Sequence, residues 1–389
     1  MIKRTLLDAE HEDFRRSFVR FMEREIAPHH AAWEEQGIVD RQVWRQAGEH
    51  GFLCMSMPSA YGGAQADKRF AVVQMEELAR AGYSGIGFGL HSEIVAPYLL
   101  HYGTEAQKRR YLPAMACGEM IGAIAMSEPA AGSDLQGIHT TALPQDDGSF
   151  LLRGSKTFIT NGWHADVVLV VAKTQPQAGA KGISLFVVER GMPGFEKGQR
   201  LKKLGLKAQD TCELFFHDVR LGPEQLLGGI AMLGKGFICL MEQLPWERLQ
   251  IAISAVAAAQ SAIDQTVEYT SQRQVFGQAV AQFQTTRHLL AELQTETQIA
   301  QVFVDKCCEL MLTGQLDDCT ASMAKYWCSD LQCKVVDACV QLHGGYGYIW
   351  DTPITRAYAD ARVQRIYGGT NEIMKEVIAR RMGLSGRSQ

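Results

Sequence analysis

The sequence predicts an α+β protein built as three consecutive domains. These are an N-terminal helical domain over 1–120, a small β-barrel or sandwich over 121–230, and a four-helix bundle over 231–389. Three observations carry this. Helical periodicity runs through the first segment. It gives way to short β-branched or aromatic stretches separated by Gly, Pro and Asp. It then returns in long amphipathic stretches joined by short turns.

The elements follow in order. "EDFRRSFVRFMEREIAP" places Phe14, Phe18, Phe21 and Met22 at i, i+4, i+7 and i+8, one apolar helical face that Pro28 should end. "FAVVQMEELARAG" repeats the pattern and stops at Gly82, and "TEAQKRRYLPAMACG" opens on Thr104 as a cap. "VVLVVAKT", "GISLFVVER" and "CELFFHDVRL" have the length and composition of strands, and "DDGS" at 146–149 has that of a hairpin turn. From Gly236 three long helical patterns follow, ending with "SMAKYWCSDLQCKVVDACVQL".

Bulk composition excludes several classes. Hydrophobic residues make up 46% and charged ones 21%, ordinary for a folded chain with a large core. A net charge of −4 gives no basic field for nucleic acid. The ten cysteines form no CxxC pair and no His/Cys metal spacing. No metal centre is therefore expected, and free thiols in a reducing compartment are. "MIKRTLLDAEHEDFRRSF" lacks the apolar core of a secretory signal and is too acidic for a transit peptide. "IAISAVAAAQSAI" is shorter than the ~20 apolar residues a membrane span needs. A cytoplasmic location is expected, or the mitochondrial matrix if a presequence has been removed. The glycine-rich stretches at 85–90 and 343–348 do not follow a strand and open a helix, so no dinucleotide fingerprint is present.

Four further stretches occur in order. They are "AMSEPAAGSD" (Ala125 to Asp134), "KTFITNG" (Lys156 to Gly162), "RQVFGQ" (Arg273 to Gln278), and "QLHGGYGY" followed by "IYGGTNEIM". With the helix–β–helix order they resemble the acyl-CoA dehydrogenase family over essentially the whole chain. "GLKAQDTCELFFHDVRL" and "MAKYWCSDLQ" resemble its long-chain branch and the bacterial relatives of that branch. The resemblance implies FAD as cofactor and an acyl-CoA substrate. It also implies an electron-transfer flavoprotein as electron partner, and a homo-oligomer, usually a tetramer.

The resemblance also implies site roles. Met126 and Ser127 would meet the flavin ring. Gly132 and Ser133 would lie near its pyrophosphate and the substrate thioester. Phe158, Ile159 and Thr160 would place an aromatic and a hydroxyl against the flavin, with Phe158 standing where relatives often carry tryptophan. Arg273, Phe276, Gln284, Gln341 and Gly345 would reach the flavin of a neighbouring subunit, and Thr370 and Glu372 would touch the nucleotide from the C-terminal side. The residue types suit these tasks. Small residues let backbone N–H groups approach a ligand, Arg can bind a pyrophosphate bidentately, and Phe can pack on adenine. Arg273 and Phe276, three apart on a predicted helix, would share a face.

The catalytic base poses a separate question. Many family members carry it as a glutamate directly after the late tyrosine, but here that position is Gly368. In "MEQLPWERLQIAISAVA", Glu247 shares a helical face with Leu244, Ile251 and Ala255, whereas Glu242 lies off that stripe. A carboxyl on a buried apolar stripe is costly, and desolvation should raise its pKa towards neutrality, which suits a base. The resemblance agrees, because the isovaleryl and long-chain branches carry their base in the equivalent "ER" pair. Arg248 would then orient local structure or balance charge. Gly368 would offer its N–H to the thioester carbonyl beside a ribityl hydroxyl. The expected reaction is α,β-dehydrogenation of a medium-chain, long-chain or branched acyl-CoA to the trans-2-enoyl-CoA. Terpenoid or carrier-bound acyl thioesters, a silent flavin-binding scaffold and an oxygen-using flavoenzyme are the alternatives.

Overall fold

The computed structural model describes residues 2–384. Six helices precede the sheet. They are α1 (Ala9–Phe21), α2 (His30–Gln36), α3 (Arg41–Glu49), α4 (Lys68–Ala81), α5 (Ala96–Tyr102) and α6 (Glu105–Ala116). The predicted apolar face of α1 closes around one ring, with Phe14, Phe18 and Phe21 lying 5.6, 5.1 and 5.1 Å from Phe52. One π-helical turn, Met22–Ile26, carries α1 on towards Pro28. Gly82 ends α4 with φ +70°, a backbone conformation that glycine adopts without penalty. Thr104 and Gln107 cap α6 reciprocally, backbone to side chain, at 3.2 and 2.9 Å.

The middle segment is one seven-stranded mixed sheet. Its strands are β1 (Gly122–Ala125), β2 (Thr141–Pro144), β3 (Phe150–Thr160), β4 (Val167–Lys173), β5 (Ile183–Glu189), β6 (Phe195–Arg200) and β7 (Thr211–Leu221). They run in the order β1-β4-β2-β3-β7-β6, with β5 also paired to β4. The predicted turn at 146–149 joins β2 to β3, with Gly148 at φ +81°. β4 and β5 are apolar at nearly every position because both of their faces are covered. Val167, Leu169, Val171 and Leu185 pack with Tyr98, Leu99 and Leu112 of α5 and α6. Val168, Val170, Ala172 and Phe186 face the sheet's own core.

The C-terminal segment contains α7 (Gly236–Gln272), α8 (Gln284–Leu312), α9 (Asp318–His343), α10 (Pro353–Ala361) and α11 (Asn371–Arg381). The three long helices form the body of the bundle, and the two shorter ones complete it. Small side chains on α7, such as Ala252, Ala255 and Ala259, join Ala324, Cys328 and Val335 of α9 in one core. Ala71, Val72 and Met75 of α4 enter the same core. α7 is thus gripped from both helical segments. One local expectation is overturned. Arg273 and Phe276 do not lie on a helix, because α7 stops at Gln272 and a hairpin follows, β8 (Gln274–Val275) and β9 (Gln278–Ala279). Phe276 and Gly277, with φ +50° and +80°, form its two-residue turn. Left-handed backbone at both positions is what a tight primed turn needs and what a helix forbids. All ten cysteines are free, as expected, with Cys117 exposed.

Candidate active site

Glu247 lies in the fourth turn of α7, with 8% of its surface exposed. The fully buried Tyr98 of α5 donates its phenolic hydrogen to Glu247 Oε1 at 3.0 Å. Burial raises the carboxyl to about 7, against the opposing pull of the Tyr98 hydrogen bond and the Arg248 charge. Glu242, by contrast, is exposed and accepts from Tyr102 at 2.7 Å. Arg248 turns towards α9, where Nη1 donates to Ser322 Oγ at 3.2 Å and Nε is buried without a partner. Burial lowers its pKa, opposed by Asp318 and Glu247.

Gly368 comes against the same face of α7. A β-carbon added there would fall 2.5 Å from Cδ1 of Ile251, one turn beyond Glu247. Gly368 and Gly369 both have left-handed backbone, with φ +65° and +88°. Lys325 of α9 anchors this loop by donating to Gly369 O at 2.7 Å and Asn371 Oδ1 at 2.9 Å. Burial, then the neighbouring Arg248, brings Lys325 down to about 8. Thr370 caps α11 through its hydroxyl, and Glu372 is exposed in the first turn, where a carboxylate suits the helix dipole.

A third group sits on the sheet. Thr157 donates its backbone N–H to Ser127 O at 3.0 Å, tying the 125–134 loop to β3. Lys156 Nζ donates to Met126 O at 2.9 Å and to Glu128 Oε1 at 2.8 Å. A register shift between Lys156 and Ile159 interrupts the β3–β7 ladder. It leaves Phe158 at φ +60° with 69% of its surface exposed. A bulky residue held in left-handed backbone and turned outward is a strained feature of the kind found at functional sites. Met126 is half-buried and packs on the apolar cluster that contains Tyr98. Thr160 and Ser127 are half-buried and Ser133 is exposed, while a β-carbon at Gly132 would meet nothing within 4 Å. Ile159 points its side chain into the sheet core at 2% exposure, so only its backbone can face a ligand.

The remaining predicted residues gather at the far end of α7. Arg273 and Gly345 line one cavity of about 590 Å³ with Tyr269, His343 and Tyr346. Arg273 is exposed and has no ion pair among the described residues, and Phe276 stands 96% exposed at the hairpin tip. Gln284 opens α8 and Gln341 lies in the last turn of α9, both exposed.

Sequence profiles of the acyl-CoA dehydrogenase N-terminal, middle and C-terminal domains match residues 8–119, 123–219 and 234–383. The mitochondrial long-chain specific acyl-CoA dehydrogenase of Sus scrofa is 52% identical over 379 residues, covering 97% of this chain and 87% of that protein. The chain belongs to the acyl-CoA dehydrogenase family. The crystal structure of an acyl-CoA dehydrogenase from Geobacillus kaustophilus superposes with a TM-score of 0.95 at 47% identity, covering 98% of this chain and all of that one. An acyl-CoA dehydrogenase from Bacillus anthracis, solved in complex with FAD, gives 0.89 at 31% identity over 97% of this chain and 68% of that one.

Several residues that hold this acyl-CoA dehydrogenase site together escape a sequence reading. Tyr98 lies 149 residues from Glu247, and no periodicity links them. Lys325 and Ser322 sit on a helix whose apolar pattern hides their inward direction. Lys156 left a usable signal, since it stands at an inward position of β3, where a lysine needs a buried partner.

Proposed function

We propose that this acyl-CoA dehydrogenase uses FAD to convert a medium-chain, long-chain or branched fatty acyl-CoA to its trans-2-enoyl-CoA, with Glu247 as the base. One observation carries the reading. A buried carboxyl, raised to about 7 by desolvation, lies on the face of α7 met by the Gly368 loop.

The residues present suit FAD. The 125–134 loop is tied to β3 beside an outward-turned Phe158, and Gly132 leaves its surroundings open for close backbone approach. Met126, Ser127, Phe158 and Thr160 would hold the flavin end. Gly132 and Ser133 would serve its pyrophosphate and the thioester, and Ile159 would take part through its backbone. Thr370 and Glu372 would approach from the C-terminal side. When bound, FAD supplies a hydride acceptor for the β-hydrogen of the substrate.

The chain's own residues do the rest. Glu247, as carboxylate, takes the α-proton, and the apolar surroundings that raise its pKa make proton transfer near neutral pH favourable. Gly368 offers its N–H to the thioester carbonyl, where negative charge develops. Arg248 acts from the α9 side by balancing charge and fixing α7.

Assembly and location follow the same reading. Arg273, Phe276, Gln284, Gln341 and Gly345 are exposed, as residues serving a second copy of the chain would be. A separate groove of about 340 Å³, lined by Ile299, Phe303, Met323 and Trp327, adds apolar surface that a homotetramer would cover. Electrons would pass to an electron-transfer flavoprotein. Among the described residues no helix is long and apolar enough to cross a membrane. The proposed location is the bacterial cytoplasm, or the mitochondrial matrix if a presequence has been removed.

The test is an anaerobic titration of the flavin-loaded protein with acyl-CoAs of varied length and branching, followed by flavin absorbance. Rapid bleaching by wild type and far slower bleaching by Glu247→Gln is expected, with the fastest substrate reporting pocket depth. Flavin that no acyl-CoA bleaches would return the weight to a silent scaffold.

A further inference from the structure

We infer that Tyr98 is a positioning residue for the base, committing Glu247 Oε1 to the phenol and leaving Oε2 to receive the substrate proton. The inference rests on the assignment of Glu247 above.

The geometry comes first. Tyr98 is fully buried directly after Pro97 in the first turn of α5, a short helix packed against β4 and α6. Its ring has no room to swing, and a buried phenol needs a partner. Its hydroxyl meets Glu247 Oε1 at 3.0 Å. Oε2 has no hydrogen-bond partner among the described residues. The two carboxylate oxygens are therefore inequivalent before substrate arrives. When the α-proton moves to Oε2, Oε1 becomes the carbonyl oxygen of the acid and still accepts from Tyr98. The tyrosine keeps its own proton throughout, because burial and then the Glu247 charge hold its pKa well above the usual tyrosine value. No proton is passed on, and the carboxyl need not rotate as it is protonated.

The charged and titratable groups around the pair are few. Arg248 acts on Glu247 from its own helix, and Tyr102 and Cys239 face Tyr98. Tyr98 thus supplies the hydrogen bond that favours the carboxylate against burial. Without it the carboxyl would hold its proton to a higher pH, and the rate of flavin reduction would rise with pH only after that proton leaves.

The experiment follows flavin reduction by an acyl-CoA against pH, using FAD-loaded full-length protein. Wild type, Tyr98→Phe, Glu247→Gln and protein with 3-fluorotyrosine placed at position 98 alone are compared. Tyr98→Phe should move the acid limb up by about one pH unit, a roughly tenfold rate loss on that limb, with a smaller change in KM than in kcat. The fluorinated phenol is a stronger donor and should move the limb down. It retains the tyrosine shape, so it decides the matter if Tyr98→Phe fails to fold. A limb that stays put in both variants, while Glu247→Gln slows reduction at least a hundredfold, overturns the role of Tyr98 and leaves the base assignment standing. Reduction at the wild-type rate in Glu247→Gln removes the base assignment itself.

Discussion

Lys156 and Glu128 form an ion pair 2.8 Å long from which water is excluded, with side-chain exposures of 0% and 4%. Glu128 also accepts from the backbone N–H groups of His139 and Thr140, at 2.6 and 3.0 Å. Burial pushes Glu128 upward, but Lys156 and these donors outweigh it and hold the carboxyl below its usual range. The pair fixes both ends of the loop that carries Met126, Ser127, Gly132 and Ser133.

Lys156→Met should therefore lower stability by about 3–5 kcal/mol, since it strands a buried carboxylate. FAD should be lost along with the loop's order. Thermal melting and the ratio of flavin to protein absorbance after gel filtration check both parts.

Glu247→Gln should keep FAD while slowing flavin reduction by about 10²–10⁴-fold, the usual contribution of a general base. It also carries a signature in stability. The folded pKa of Glu247 is raised to about 7 from 4.5. The folded state therefore binds more protons than the unfolded chain between these values, and stability present below pH 4.5 is lost as pH rises through 7. At 1.36 kcal/mol per pH unit the loss is about 3 kcal/mol. Melting curves of wild type and Glu247→Gln should converge in acid and diverge towards neutrality, with the variant more stable above pH 7.

Gly368→Ala should cost about 1–3 kcal/mol, because φ +65° is strained for a side chain and the new methyl meets Ile251 Cδ1. Adding Ile251→Val removes that δ-carbon and should restore part of the loss, the remainder being backbone strain. Denaturant midpoints of the single and double variants separate the two contributions.

Arg273→Ala should change the chain's stability by no more than about 0.5 kcal/mol, since the residue is exposed and makes no ion pair among those described. FAD retention should fall nonetheless. Full FAD content after prolonged dialysis would remove the case for a contact from this hairpin to the cofactor.

The sequence made legible what depends on local pattern. The apolar face of α1, the caps at Thr104 and Gly82, the 146–149 turn and the inward direction of Glu247 all repeat or punctuate a short period. Relationships set by the chain's return on itself were not visible. Tyr98 is an ordinary residue of a core helix until α7 arrives beside it. The hairpin at Gln274–Ala279 is hidden for a different reason. "FG" is not among the usual dipeptides of a primed turn, and no helix-stop residue separates it from the helical pattern before it. The buried direction of Ile159, inward while Phe158 turns outward, depends on a bulge that composition does not announce.

The length of α7 has a mechanical consequence. Glu247 stands about a third of the way along it and Arg273 directly after its end, about 26 residues apart and roughly 39 Å along the axis at 1.5 Å per residue. That length is clamped between α4 and α9. The bundle core thus holds the spacing between Glu247 and the cavity beside Arg273. In an assembly where that cavity holds a neighbour's cofactor, a single helix would set the distance between two reaction centres, its own and the next.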